Sequence, residues 1–197
     1  MKGEIIKNII HFKVVDSTNN LAIQLLNEVK IPLPYCISTD FQTSGNGQLN
    51  NKWDSENGKN LLLSIVLNPN LEISNSFYIN VITSISVIDL LNKLKISSCS
   101  IKWPNDVLIR SQKVAGILIN NKVRGSFIKN CVIGIGLNVN QTKFNNFNRE
   151  ATSIRLEKNM NFDLSILRDD FLDIFTKRLN TSQSINFTDY MNNLFLK

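Results

Sequence analysis

The sequence predicts an α+β domain, a mixed and largely antiparallel sheet flanked by helices. Segments rich in β-branched and large apolar residues outnumber those with helical spacing. Two of them, Lys113–Asn120 and Phe127–Val139, are separated by a turn at Val123–Gly125 and read as a hairpin. Strands and helices do not alternate regularly, which disfavours a doubly wound nucleotide fold. With 197 residues, 43% of them hydrophobic, the chain is long enough to bury one sizeable core, and residues 1–197 read as a single domain.

Taken in order, Ile5–Val15 is dense in β-branched residues and predicts a strand. Asp16-Ser-Thr-Asn19 supplies helix-capping chemistry, and Ala22, Leu25, Leu26 and Val29 follow at helical spacing. Ile31-Pro-Leu-Pro34 ends that helix. A short strand over Tyr35–Thr39 leads into a long polar loop, Gln42–Gly58, which carries Gly45, Gly47 and Gly58; its length suggests function. Asn60–Leu67 reads as a buried strand. Ser74–Leu94 reads as a helix with Val81, Ile85, Ile88, Leu91 and Leu94 on one face. Short strands follow at Ser100–Trp103 and Val107–Arg110, then the hairpin, an amphipathic helix over Leu164–Leu179 and a further helix over Asp189–Leu196.

The bulk numbers narrow the function. A net charge of +6 and a pI near 9.3 allow nucleic-acid binding, but the basic residues are scattered rather than blocked. They fit a charged surface that attracts small anions. Cys36, Cys99 and Cys131 form no C-x-x-C and read as small buried hydrophobes in a reducing compartment. A single histidine, His11, argues against a histidine metal site or triad. The N-terminal residues lack the apolar core of a signal peptide, and the apolar run Leu61–Leu67 is far too short to span a membrane. A cytoplasmic protein with neither a membrane nor a nucleic-acid partner is expected.

Four segments carry chemistry. In Gln42-Thr-Ser-Gly-Asn-Gly-Gln48, glycines two apart let a backbone approach a ligand and turn N–H groups toward a phosphate; a surface Ω-loop is the alternative. Trp53, at the end of that loop, either anchors it to the core or stacks on a flat ligand such as adenine. Lys102-Trp-Pro-Asn-Asp106 is either a plain turn or a site where Asp106 holds Mg²⁺ and Lys102 faces phosphate. Lys113 opens the return strand Lys113-Val-Ala-Gly-Ile-Leu118, exposed at a strand end or gripping a carboxylate or phosphate. Gly134 and Gly136 lie inside a strand, which implies close approach by a ligand or another backbone.

In this order and combination the segments resemble the biotin–protein ligase family. The matching residues are Ser17-Thr-Asn19, the glycine loop with Lys52-Trp53, Gly58-Lys-Asn-Leu-x-x-Ser64, Lys102-Trp-Pro-Asn-Asp106, Lys113-x-x-Gly-Ile-Leu118, Gly134-Ile-Gly-Leu-Asn138 and Ala151-Thr-Ser153. The resemblance implies a fold related to class II aminoacyl-tRNA synthetases and lipoate ligases. It implies that Ser17, Thr18, Asn19 and Gln42 contact biotin, and that Asn46, Gly47 and Gln48 wrap its carboxylate and the adenylate phosphate, with Gly116 beside them. Gly45, Trp53, Lys102, Asn105 and Asn138 then face ATP or the adenylate, with adenine on Trp53. Lys113 and Asp106 sit at the reacting centre, Asp106 being the candidate Mg²⁺ ligand.

The activity implied is ATP-dependent formation of biotinyl-adenylate, followed by transfer to a lysine of a biotin carboxyl carrier protein of acetyl-CoA carboxylase or a similar enzyme. A homodimer is in keeping with it. The loop departs from the family's Gly-Arg-Gly-Arg/Gln-x-Gly pattern, with Asn46 in place of an arginine and Asn50 in place of a glycine. Neither an N-terminal DNA-binding domain nor a C-terminal β-barrel cap is expected. The alternatives are a lipoate or octanoyl ligase, a catalytically impaired homologue that binds biotin or the carrier, and, on charge alone, a nucleic-acid binder.

Overall fold

The computed structural model describes residues 5–29, 31–48, 51–144 and 151–195. Its strands join one eight-stranded sheet, and the sequence-predicted α+β class is observed. The strands are β1 (Asn8–Val15), β2 (Tyr35–Gln42), β3 (Leu61–Leu67), β4 (Leu71–Glu72), β5 (Cys99–Lys102), β6 (Asp106–Ile109), β7 (Gln112–Arg124) and β8 (Phe127–Leu137). They run in the order β1-β2-β3-β8-β7-β6-β5, with β4 beside β8. Only the β1–β2 pair is parallel; every other pairing named here is antiparallel. The helices are α1 (Thr18–Glu28), α2 (Phe77–Lys93), α3 (Ile154–Lys158), α4 (Leu164–Leu179) and α5 (Gln183–Asn192).

The side-chain period of two divides the sheet into two faces. Leu61, Leu63, Ile65 and Leu67 of β3, with Ile133 and Ile135 of β8, point into the main core under α2 and α4. α2 packs on the sheet with one side and on α4 and α5 with the other, so it is apolar nearly all round. By length and composition the stretch Ile73–Lys93 could cross a membrane, yet 61% of its most apolar window is buried inside the protein, as a core helix requires. Its buried Thr83 and Ser86 hydroxyls donate to the carbonyls of Ile79 and Ile82, at 2.7 and 2.6 Å, which satisfies them without a polar neighbour. Arg178 of α4 ties this layer together. It reaches Asp89 of α2 through Nε at 2.6 Å and Nη2 at 2.9 Å, and Asp189 of α5 through Nη1 at 2.5 Å.

The opposite face carries α1, whose Ala22 lies flush against Tyr35, Ile37, Val66 and Val132. This helix packs mainly on β2, β3 and β8 and reaches β7 through Asn19, so the sheet beyond its N-terminus is left for a different cover.

Several element boundaries differ from the sequence reading. The turn between β7 and β8 is Gly125-Ser126, where Gly125 adopts a left-handed φ of 61° that favours glycine. The last helix begins at Gln183, because the Ser182 hydroxyl caps it by accepting from the Ile185 N–H. Val29 is an exposed, extended C-cap rather than a core residue of α1. β4 and α3 are additional. The expected Leu196 end of the last helix, and Asn50, lie outside the described residues.

Candidate active site

The cleft opens on the α1 face, at the helix N-terminus. Ser17 is extended (φ −155°, ψ 131°), and its hydroxyl accepts from the Asn20 N–H, which sets the start of α1 at Thr18. Both the backbone N–H and the hydroxyl of Thr18 donate to Gln42 Oε1, at 2.8 and 3.1 Å. With Oε1 so committed, Nε2 is the end of Gln42 available to a ligand. Ser64 Oγ, from β3, lies 2.8 Å from both Thr18 Oγ1 and Asn19 Oδ1. Asn19 Nδ2 donates to the Leu118 carbonyl and to Asn120 Oδ1. A Cβ at Gly134 would come within 2.6 Å of Asn19 Oδ1. That strand glycine therefore makes room for a neighbouring side chain, where the sequence suggested a ligand or a backbone.

The glycine loop closes on itself as a small hairpin. Trp53 N–H donates to the Gly45 carbonyl at 2.9 Å and Gly47 N–H to the Asn51 carbonyl at 2.7 Å, around a bridge between Asn46 and Lys52. A Cβ at Gly45 would meet the Trp53 carbonyl oxygen at 2.5 Å, so glycine there serves the hairpin's closeness. Asn46 Nδ2 is tied to Asn20 Oδ1 of α1 at 3.1 Å. The Trp53 indole lies on a floor of glycines: a Cβ at Gly116 would sit 2.8 Å from its Cζ3, and one at Gly136 would overlap the ring outright. Its Nε1 is buried and has no partner among the described residues.

Lys113 Nζ lies 5.4 Å from the centre of this indole ring and 2.6 Å from Asp106 Oδ1. The pair owes its geometry to a β-bulge. Asp106 faces Gly116 and Val107 faces Ala115, but Leu108 faces Lys113, which leaves Val114 as the extra residue. Without it Lys113 and Gly116, three apart, would point to opposite faces. Asn105 fixes the adjoining turn, its Nδ2 donating to the Ile117 carbonyl and its own carbonyl accepting from the Ile117 N–H, both at 2.9 Å. Ala151–Ser153 runs alongside Lys113, with the Thr152 N–H on the Lys113 carbonyl at 3.0 Å.

Of the residues singled out in the sequence, Ser17, Thr18, Asn19, Gln42, Asn46, Gly47, Gln48, Trp53, Asn105, Asp106, Lys113 and Gly116 line one cleft. Lys102, Gly45 and Asn138 do not. Lys102 sits at the end of β5 opposite Asp106. Asn138 is buried and works as a strut, its Nδ2 donating to the Thr152 carbonyl at 3.0 Å. Asn51, Lys52, Ile117, Leu118, Gly134, Ile135 and Gly136 join the lining. The last three belong to the glycine-bearing strand already marked in the sequence; Lys52, Ile117 and Leu118 fall inside the matched motifs and Asn51 inside the long polar loop, with no role given to any of the four there.

Asp106 is the one acid in the lining, and Lys113 holds it. Among the described residues no group of three or more His, Cys, Asp or Glu could hold a metal ion. The donors do not fit a resident Mg²⁺, and such an ion would arrive on nucleotide phosphates. Thiol chemistry is equally remote. Burial pushes Cys36 up to about 12 and Cys99 to about 11, and it raises Cys131 as well. His11 binds Ser38 Oγ and Asp40 between β1 and β2, outside the lining. The cleft thus offers a polar, hydrogen-bonding end, a flat glycine floor under an indole, and one oriented cation.

Comparisons with known proteins bear on the family and the fold. The Biotin/lipoate A/B protein ligase family matches residues 11–138. The bifunctional ligase/repressor BirA of Bacillus subtilis is 28% identical over 193 residues, which cover 95% of this chain and 59% of that protein. The Escherichia coli BirA is 31% identical over 126 residues, covering 64% of this chain and 39% of that protein. The chain therefore spans less than two thirds of the length of these relatives. Among solved structures, the biotin protein ligase of Aquifex aeolicus in complex with biotin and ATP superposes with a TM-score of 0.81 at 28% identity. That match covers 96% of this chain and 79% of the other. The Leishmania major biotin protein ligase, 19% identical with a TM-score of 0.79 over 97% of this chain and 83% of that one, speaks for the fold alone.

Proposed function

Since the chain belongs to the biotin/lipoate A/B protein ligase family, we propose that it is an ATP-dependent biotin–protein ligase that makes biotinyl-5′-AMP and passes biotin to a lysine of a biotin carboxyl carrier protein. In the first step a biotin carboxylate oxygen attacks the α-phosphorus of ATP and pyrophosphate leaves. In the second the carrier's lysine nitrogen attacks the acyl carbon, AMP departs and the amine loses a proton. The observation that carries this reading is the Lys113–Asp106 pair, 2.6 Å apart beside the Trp53-covered glycine floor.

Two anions must meet in the first step, so a fixed cation at their meeting point lowers the barrier. Asp106 holds the Lys113 ammonium in place before the anions arrive, and the same carboxylate can take the proton that the incoming lysine sheds. Ser17, Thr18 and Gln42 Nε2 suit a ureido ring, which has both donors and acceptors. A dithiolane ring has neither N–H nor carbonyl to meet the Gln42 Nε2 donor, and a site built to hydrogen-bond its ligand rejects an analogue that lacks those groups; this favours biotin over lipoate. ATP enters as its Mg²⁺ complex. The Gly47 N–H is spent on Asn51, so for the loop to wrap a phosphate its hairpin must open and re-form around the ligand.

The test is exchange of labelled pyrophosphate into ATP by the purified chain, without carrier. Exchange is expected with biotin and not with lipoate or octanoate. Exchange driven by octanoate instead, or none with any acid, would overturn the reading.

A further inference from the structure

We propose that Trp103 is the docking residue for the lysine-bearing carrier domain, at the rim of the cleft; this rests on the ligase reading above. Among the described residues Trp103 is the most exposed large hydrophobic side chain, at 68%. The turn that carries it has no use for an indole. Its geometry is held by the bonds between Asn105 and Ile117 and by the pairing of Lys102 with Asp106. Leaving an indole in water forgoes a large apolar burial, and tryptophan is the residue type most enriched at the energetic centres of protein interfaces.

Position supplies the occupant. Trp103 directly precedes Pro104, Asn105 and Asp106, and the last two line the cleft. A carrier lysine reaches no further than its own side chain. To bring its amine to the Lys113–Asp106 pair, the carrier must rest its backbone on the rim, and the β5–β6 turn is that part of the rim. On the other side, Asn193–Phe195 pairs with Ile101 and shields the outer edge of β5 there, which leaves Trp103 as the apolar contact two residues further on. Lys102 beside it, Lys52 in the cleft lining and the net charge of +6 suit an acidic partner surface.

The experiment compares wild type, Trp103→Phe and Trp103→Ala as full chains, with a purified apo carrier domain. Three readouts are taken: biotin-dependent pyrophosphate exchange without carrier, the KM for carrier in the transfer reaction, and direct binding of the carrier. Trp103→Ala is expected to raise the KM for carrier by about tenfold or more, the effect of losing an interface hot spot. Exchange should be unchanged, and Trp103→Phe should recover most of the loss. An unchanged KM and unchanged binding in Trp103→Ala would overturn the proposal. So would an equal fall in exchange, which would place the indole in the cleft chemistry. Conversion of a dimer to a monomer by Trp103→Ala, seen by sedimentation, would also overturn it, because the surface would then belong to a second copy. If wild type shows no exchange yet binds the carrier through Trp103, the ligase reading falls and the docking surface stands.

Discussion

The two faces of the β3–β8 strand pair are built from alternate residues of the same segments, yet they are made of different material. On β3, Leu61, Leu63, Ile65 and Leu67 enter the core under α2, while Ser64, between two of them, turns the other way to Thr18 and Asn19. On β8, Ile133 and Ile135 join the core, while Gly134 and Gly136 between and after them leave room for Asn19 and Trp53. One face is filled by apolar volume and locked at its outer layer by Arg178. The other, beyond the apolar patch that α1 covers, is kept thin and polar, so that side chains and ligands can lie directly on backbone. The period of two lets one strand fill the main core with its odd positions, while its even ones pack under α1 at Val66 and Val132 and serve the cleft at Ser64, Gly134 and Gly136. Substitutions on the two faces should therefore separate cleanly into effects on folding and effects on reaction.

The largest expected effect falls on the packed face. Leu63 is fully buried in the main core. Leu63→Ala should cost about 2–5 kcal/mol of stability, the range for truncating a buried leucine. Thermal or urea unfolding measures this loss. Biotin-dependent exchange per folded molecule should stay near wild type. A variant of unchanged stability but lower exchange would break the division between the faces.

On the thin face, Lys113→Ala should lower biotin-dependent exchange by roughly 10²-fold, the scale of losing one oriented charge donor. Circular dichroism and the unfolding midpoint should change little, because Lys113 is partly exposed and packs no core. Near-normal exchange in the folded variant would remove the lysine from the reacting centre.

This contrast also explains what the sequence made legible. The apolar face announces itself by periodicity. The helix Leu164–Leu179 is readable from its amphipathic spacing, to which the structure adds the Asp163 cap, and the β7–β8 hairpin is readable because two β-branched runs flank a glycine. The chemical segments were legible as motifs, and most of their residues meet in one cleft. What stayed hidden depends on partners far apart in the chain. Asn138 is a strut on Thr152, and Gln141 anchors the far end of the glycine loop through Asn60 and the Glu56 N–H, a link no local pattern encodes. The bulge that turns Lys113 toward Asp106 is a register property of two strands. β4 has two residues and α3 five, too few for any periodicity to show.

The smallest effect sharpens the comparison from the packed side. Asp163 caps α4, and its Oδ1 accepts from the Ser165 hydroxyl, the Ser165 N–H and the Ile166 N–H. These bonds, that to the Ser165 hydroxyl foremost, hold its carboxyl below the usual aspartate value. A carboxylate with a depressed folded value adds stability that is fully present above its unfolded value, and that stability is lost as pH falls through the folded one. Asp163→Asn keeps a capping oxygen but removes the titration. At neutral pH the wild type should melt slightly above the variant, by an amount near the resolution of calorimetry. The gap should close as the pH drops below the ordinary carboxylate range, where the wild-type side chain becomes neutral too. Exchange at neutral pH should be identical in the two proteins, since α4 contributes nothing to the cleft lining. Parallel melting curves down to low pH would show that the cap carries no charge-dependent stability. A change in exchange would show that the helical layer reaches through the sheet to the site.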